Sequence, residues 1–579
     1  MADMNDTPAD TYGPTLVHTW HRAWRDPARR DAPALASESG TLSYAQLFDR
    51  VGRVAAGLRA RGVGRGARVA IAMERSPAQV AILLGAMAAG ACPCPLEAGL
   101  SAAETARRMA VGGMGWAIHD EAGAAGLAGS DLPAAQVLPA EALTADALTA
   151  DAPAGADSGW AGDLQPGDAG LLLFTSGSTA LPKGVLLSHA ALLSNTRGVV
   201  AHTGLGAGDV LLHVMPLYHT NGLNNQLFAP LCAGAAVALA GRFRAQDMPG
   251  LMERFRPTIV TGVPTMYARM LEHAFPPAAL ARLRFARCGS APITVELHER
   301  IEAHLGRPLV VSYGLSEAAC TSTMNPPERR RIGSVGTVLA GQLVLLRSAD
   351  GSLYGPPAVA AQAAAQAGPS LAQAQAGTTQ AGAATGQVPH PAGQPFARSA
   401  APGQEGEICI AGPSLMQGYL GTDSSGLETL DPAAAAAAGI AAPPVGLRLL
   451  RTGDLGRFDE DGYLYITGRL KDVIIRGGEN LSPALIEEAV AACPGVAACC
   501  VVGAPDADLG EVPVAFVVAD AAAGLLDADA VQQAVAQRLG RIYRPARVLQ
   551  VDQLPENSVG KIDRKALAAQ LRAPQANPA

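Results

Sequence analysis

The chain has 579 residues, 49% of them hydrophobic, with 65 glycines, only 4% aromatic residues and a formal charge of −7. That length exceeds what one hydrophobic core serves, so two or more domains are expected, with cores built mainly from Ala, Val and Leu. The acidic balance and the lack of a basic block exclude nucleic acid as the main partner.

The start, MADMNDTPAD, is polar and acidic, unlike a signal peptide. Residues 41–47 lead into 51–61, where Val51, Val54, Ala55 and Leu58 recur at helical spacing. Residues 64–72 are a turn feeding a buried strand, and 79–91 are the next helix. The longest apolar stretch, 80–96, contains Gly85, Gly90, Pro93 and Pro95. It reads as a core helix running into a strand, not as a membrane span. Alternating strand and helix suggest a parallel sheet covered by helices. Residues 121–162 are rich in Ala, Gly and Asp and carry the small duplication LTADALTADA; they read as a loose connection. The nine cysteines form no disulfide framework, and Cys92-Pro-Cys94 and Cys499-Cys500 are too close for ordinary zinc spacing. They are expected as buried reduced thiols in a cytoplasmic protein.

Residues 171–191 read LLLFTSGSTALPKGVLLSHAA. An apolar strand runs into a loop of Thr175, Ser176, Gly177, Ser178 and Thr179, then Pro182-Lys183-Gly184, a second apolar step and a helix capped by Ser188. Gly177 and Gly184 let the backbone bend closely around a ligand. The hydroxyls and exposed N–H groups suit phosphate oxygens, and Lys183 adds a point charge. No Walker A spacing is present. Residues 211–225, LLHVMPLYHTNGLNN, are an apolar strand ending in a polar corner. His219 in that corner also fits a histidine satisfied at a helix N-terminus.

Residues 259–267 are a strand, a turn and the start of a helix. Residues 285–292, FARCGSAP, are a strand ending in the small-residue loop Gly289-Ser290-Ala291-Pro292. Residues 310–317, VVSYGLSE, are the next strand and loop, comprising Ser312, Tyr313, Gly314, Leu315, Ser316 and Glu317. Tyr313 offers an aromatic face, and Glu317 is a hard oxygen ligand suited to Mg²⁺.

Residues 351–404 are built from Ala, Gln, Gly and Pro, with Tyr354 and Phe396 as the only aromatics. Such composition builds little core, so a surface insertion between strands is expected, with a second at 432–444. Order returns at 406–412, at Met416-Gln-Gly-Tyr419, at Arg451-Thr-Gly-Asp454 and at 462–472, GYLYITGRLKD. A glycine-rich strand-turn follows, with Arg476, Gly477, Gly478 and Glu479. Ser482 is expected to cap a helix with Pro483 at its first position. Strands at 497–502 and 512–518 and a helix at 528–539 make an α+β unit of roughly a hundred residues. Residues 557–564, NSVGKIDR, close it and carry Lys561.

Together these stretches resemble the AMP-forming acyl-CoA synthetases of the adenylate-forming superfamily, over about residues 40–570 apart from the inserts. The specificity lies in the ordered combination; no single motif carries it. The resemblance implies an α/β protein, with a large N-terminal adenylation domain (1–468) of mixed sheets covered by helices. A hinge at 469–472, centred on Lys471, and a small mobile C-terminal α+β domain (473–579) complete it. It implies an ATP-dependent carboxylate–CoA ligase that forms acyl-AMP and then a thioester, using ATP, Mg²⁺ and coenzyme A.

By the same resemblance, Thr175, Ser176, Gly177, Ser178, Thr179 and Lys183 hold the β- and γ-phosphates. The loop at Gly289, Ser290, Ala291 and Pro292 lies beside adenine. Ser312, Tyr313, Gly314, Leu315 and Ser316 continue the nucleotide site, Ser316 replacing the family's usual threonine. Glu317 holds Mg²⁺, Asp454 accepts the ribose hydroxyls and Arg469 helps hold the nucleotide. His219 stands at the wall between the ATP site and the acyl pocket. Lys561 serves adenylation; the turn of Arg476, Gly477, Gly478 and Glu479 serves thioester formation. Some members load a carrier protein instead, but no serine-bearing carrier motif follows Lys561, so CoA is the expected acceptor. The acyl pocket is expected from 218–225, 289–291 and 315–320, whose small residues, His and Asn select no one class of acid.

Overall fold

The computed structural model describes residues 13–128, 130–143, 160–175, 182–357, 400–422, 425–430, 447–476, 479–506, 508–520, 524–557 and 561–572. The helix Tyr44–Ala60 buries Leu47, Phe48, Val51, Val54, Ala55 and Leu58 along one stripe. Ser43 and Gln46 close its first turn as a reciprocal capping box. It packs on the helix Pro77–Ala88 at Gly85, where a Cβ would meet the Val54 side chain at 2.5 Å. The helix pair covers a parallel sheet ordered Cys92–Leu96, Arg68–Ala72, Trp116–His119, Val137–Pro139.

That last strand corrects the reading of 121–162 as a loose connection. Residues 121–143 contain the helix Glu121–Leu127, capped by Asp120, and a strand that completes the sheet. Ala- and Gly-rich composition hid both, because small residues suffice where the backbone packs tightly. The duplication falls largely outside the described residues.

A second, nine-stranded sheet is mixed. Its centre places Leu309–Tyr313, Phe285–Cys288, Ile259–Gly262, Val210–His213 and Ala236–Leu239 side by side and parallel. Ligand sites in such sheets form beyond the carboxyl ends of the strands. Here those ends deliver His219, the 289–292 loop and Glu317 to one edge. The antiparallel strands Ala169–Thr175 and Lys183–Ser188 form a hairpin in which Thr175 and Lys183 are register partners. Ser188 caps the helix His189–Thr203 as its sequence indicates.

Aromatics are scarce, and three of the four tryptophans gather at one place. Trp20 stacks on Trp24 at 5.7 Å, Phe48 on Trp160 at 4.9 Å, and Trp20 meets Phe228 at 5.3 Å. Trp24 Nε1 donates to the Leu231 carbonyl at 3.1 Å. The N-terminal helix Leu16–Ala23 is thereby fastened to the segment 221–233 that runs behind the site.

An antiparallel sheet follows, built on the long strand Arg448–Phe458, flanked by Glu405–Ala411 and Leu464–Arg469. The last sheet uses residues from 474 onward only. Its hairpin Val496–Asp506 and Gly510–Ala519 carries Ile474–Arg476 and Arg547–Gln550 alongside. The helices Pro483–Ala491 and Ala528–Leu539 cover one face through Ile486, Val490, Val531 and Val535. Arg564–Arg572 covers the other through Leu567. Ser482 does not cap Pro483–Ala491: its Oγ donates to the Thr467 carbonyl, tying the small unit to the large one. All nine cysteines are free, eight of them buried; burial pushes the Cys92 and Cys500 thiols up to about 12. Among the described residues no helix is long and apolar enough to cross a membrane.

The insertion has narrower limits than its composition indicates. Leu353–Tyr354 is a strand paired with Leu343–Arg347, and Ala400 is 2% exposed. Ala400 N–H donates to the Gly355 carbonyl at 2.9 Å, so the two ends meet. Replacing residues 358–399 by a short Gly/Ser link should therefore keep the melting midpoint within about 3 °C, since loop entropy changes by only ~0.6 kcal/mol per doubling of length. Calorimetry on the deletion checks this. An insoluble product would show that the removed residues hold the fold.

Candidate active site

Strand ends set the geometry. Beyond Phe285–Cys288, Ser290 is held at φ 69° in the left-handed region, which a non-glycine residue adopts at a cost. Beyond Leu309–Tyr313, Gly314 passes so close to the following loop that a Cβ would lie 1.8 Å from the Cys320 carbonyl oxygen. Ser316–Ala318 is one tight helical turn, and the next two residues, Ala319 at φ 59° and Cys320 at φ 143°, are also left-handed. The strain falls on the two loops that the sequence assigns to the nucleotide.

Glu317 is fixed at both ends. Its carbonyl accepts from Met416 N–H at 2.8 Å, and its Oε1 accepts from the Tyr419 hydroxyl at 2.7 Å. Tyr419 lies on Gly418–Leu420, which pairs with Lys183–Ser188. Lys183 Nζ stands 5.3 Å over its ring. Tyr419 therefore joins Lys183 to the Glu317 carboxylate. Sequence reasoning quoted this tyrosine without a role; the aromatic in a short motif that pairs with the loop strand was the available signal. Burial and the Glu317 carboxylate both raise the Tyr419 pKa, so the phenol stays a donor.

Asp454 is 6% exposed on the long strand, in register with Arg469. Arg469 Nε sits 2.6 Å from its Oδ1, and the Tyr313 hydroxyl donates to Oδ2 at 2.7 Å. Lys561 enters this group from the last sheet's unit. Burial pushes its pKa below the usual lysine value, as does the Arg469 charge; Asp454 and Glu317 act the other way. Asn557 holds its backbone, Oδ1 accepting from Lys561 N–H at 3.1 Å. The Arg269–Glu556 ion pair, 2.9 Å, fastens the same turn to the large unit.

His219 precedes a π-helical turn, Asn221–Phe228. The polar corner expected there is thus a wide helix, a form frequent at functional sites. His213 Nε2 is 2.8 Å from the Gly222 carbonyl and pins its start. His219 Nε2 is buried with no hydrogen-bond partner. Burial lowers its pKa to about 4, with further contributions from Lys561 and Arg108. It is neutral at physiological pH.

The structure thus brings together Thr175, Lys183, Glu317, His219, Tyr313, Asp454, Arg469 and Lys561 with the loops at Gly289, Ser290, Ala291, Pro292 and at Ser312, Gly314, Leu315, Ser316. Ser176, Gly177, Ser178 and Thr179 lie outside the described residues, as do Gly477 and Gly478. Arg476 and Glu479 face each other across a two-strand turn, and Arg476 makes its hydrogen bonds within the small unit, to the Ile542 and Arg544 carbonyls. They are not joined to the group around Lys561. Lys471 is exposed in a tight turn where the Arg469 carbonyl accepts from Asp472 and Val473 N–H, both at 3.1 Å. Among the described residues no group of three or more His, Cys, Asp or Glu gathers to hold a metal.

Comparison with known proteins agrees with this arrangement. A feruloyl-CoA synthase of Amycolatopsis is 34% identical over 92% of the chain and 95% of that protein. A sulfoacetate–CoA ligase of Cupriavidus necator is 31% identical over 93% and 94%. The crystal structure of ATP-bound MatB from Rhodopseudomonas palustris superposes with a TM-score of 0.77 at 27% identity, covering 97% of this chain and 99% of that one. The AMP-binding enzyme family model matches residues 22–362, and the AMP-binding enzyme C-terminal domain matches 485–561. The chain belongs to the AMP-binding enzymes, the adenylate-forming superfamily that its motifs resemble.

Proposed function

We propose that the protein is an ATP-dependent carboxylate–CoA ligase working through an acyl-adenylate. The observation that carries this reading is the convergence of Lys561, from the small unit, on Glu317, Asp454 and Arg469 of the large one. The relatives named for feruloyl-CoA and sulfoacetate support a CoA ligase but differ in the acid, and the similar MatB structure is ATP-bound.

A carboxylate resists nucleophilic attack and has no good leaving group. Its oxygen attacks the α-phosphorus of ATP, and pyrophosphate departs. Charge grows on the α-phosphate in that transition state, and the Lys561 ammonium is placed to offset it. Lys183 and the loop that begins at Thr175 hold the departing phosphates. Asp454 uses two lone pairs on Tyr313 and Arg469, and a carboxylate offers about four, so it keeps acceptors for a ribose diol. Neutral His219 walls off the acyl group without adding charge. The Glu317 carboxylate has one oxygen taken by Tyr419, and a single protein carboxylate with substrate phosphates suits Mg²⁺, which when bound supplies Lewis-acid neutralisation of phosphate charge.

The thiol of CoA then attacks the acyl carbon and AMP leaves. Lys561 occupies the site in this arrangement while Arg476 and Glu479 are turned to their own unit. Rotation about 469–472 exchanges them, a domain motion of the kind that limits turnover in many enzymes.

Lys561→Ala should cut acid-dependent pyrophosphate release by about 10²–10³-fold, the usual loss on removing one transition-state donor. Conversion of supplied acyl-AMP to acyl-CoA should stay within a few-fold. Pyrophosphate release near the wild-type rate would remove Lys561 from the first step. Tyr419→Phe deletes one hydrogen bond to a carboxylate, ~1.5–3 kcal/mol. It should lower kcat/KM for ATP with Mg²⁺ at least about tenfold in a steady-state assay; an unchanged value would make the Tyr419–Glu317 contact structural only.

A further inference from the structure

Side chains alternate along the strand Phe285–Cys288. Ala286 and Cys288 pack with Met252 and Leu305 on one face of the sheet. Phe285 packs with Val199, Ala229 and Met324 on the other. Arg287 therefore shares the face of Phe285, under the helix His189–Thr203 and the π-helical turn, one step nearer the strand's functional end. It is 2% exposed. Its Nε has no hydrogen-bond partner, and no carboxylate pairs with the guanidinium among the described residues. In register beside it lies Thr261, also buried, with its hydroxyl unpartnered.

A cation out of water needs an anion or a set of acceptors; among the described residues no carboxylate pairs with this one, and its Nε has no acceptor. Burial pushes its pKa down to about 10, which still leaves it charged at neutral pH. The groups ahead of it are polar. Cys320 lies within electrostatic reach of both Arg287 and Lys561. Asn225 Nδ2 is 3.0 Å from its Sγ, 2.9 Å from Thr321 Oγ1 and 3.2 Å from Asn221 Oδ1. Asn221 continues to Ser290 Oγ at 3.4 Å, at the edge of the adenine loop. This polar wall runs from the nucleotide to the guanidinium. A hydrocarbon tail laid along it would leave Arg287 uncompensated. An acid with an anion at each end would meet both cations.

We propose that Arg287 determines specificity by binding a second anionic group of the acid. The substrate class is a short dianionic acid, whose reacting carboxylate is joined through a few atoms to another carboxylate or to a sulfonate. This deepens the ligase reading and rests on it, because it names the acid of that same site.

Acid-dependent pyrophosphate release, measured without CoA, tests it with malonate, succinate and sulfoacetate against butyrate and the monomethyl esters of the two dicarboxylates. The dianions should exceed the monoanions in kcat/KM by at least about thirtyfold, the lower end of what leaving one partner of a buried charge pair unpaired costs. Sulfoacetate against the dicarboxylates separates the two anion types. Arg287→Met should collapse the preference through the KM of the dianions. Monoanions used as well as dianions by the wild type, or an unchanged ratio in Arg287→Met, would overturn the proposal. If the variant does not fold, the wild-type comparison decides alone. If neither these acids nor ferulate release pyrophosphate, the ligase reading fails. The anion site is then judged by thermal unfolding: dianions that raise the wild-type Tm while their monoesters do not uphold it, and equal effects remove it.

Discussion

One lysine reaches across two structural units into a pair of carboxylates. Lys561 loses hydration there, beside the Arg469 guanidinium, and the Asp454 and Glu317 carboxylates act against both effects. Neither unit is complete without the other: the large one collects acceptors, and the small one brings the cation. Such a pairing suits a charge that develops for one step and is then removed. It also explains the supporting contacts. Asp454 is tied by Tyr313 and Arg469, and Glu317 by Tyr419, so the carboxylates are oriented in advance of any ligand.

Behind that charged edge the site rests on sheet physics. Neighbouring parallel strands end together, and each end turns into a loop that bears a functional group. The left-handed residues Ser290, Ala319 and Cys320 are where those loops bend most sharply. The tryptophan cluster and the His213–Gly222 contact hold the π-helical turn from behind.

Much of this was legible in the sequence, for particular reasons. Hydroxyl-rich and small-residue loops after apolar runs are local signals, and they pointed to Thr175 and Lys183 and to the 289–292 and 312–317 segments. Ser188 as a cap and 528–539 as a helix are equally local. What escaped depends on distant pairing. Tyr419 acquires its contacts only when Gly418–Leu420 pairs with Lys183–Ser188. Ser482 looked like a cap until Thr467 came within reach. Arg287 sits in an otherwise apolar strand, and only the three-dimensional arrangement reveals that its Nε is unpartnered and that no carboxylate pairs with it among the described residues. Residues 121–143 lacked any strong period because Ala and Gly satisfy a close-packed position as well as larger residues do.

The central claim is that the arrangement with Lys561 in place performs the first step and must open for the second. The Arg269–Glu556 pair, 2.9 Å apart across the two units, offers a direct handle. Of the native cysteines, eight are buried and Cys499 is half-buried, which favours labelling at new exposed sites. A double substitution, Arg269→Cys with Glu556→Cys, bridged by a short bis-maleimide, holds the units as they are here. Single-turnover assays on the bridged protein should show acid-dependent pyrophosphate release and trapped acyl-AMP, with little or no acyl-CoA after CoA is added. Acyl-CoA formed by the bridged protein at the rate of the unbridged one would contradict the account.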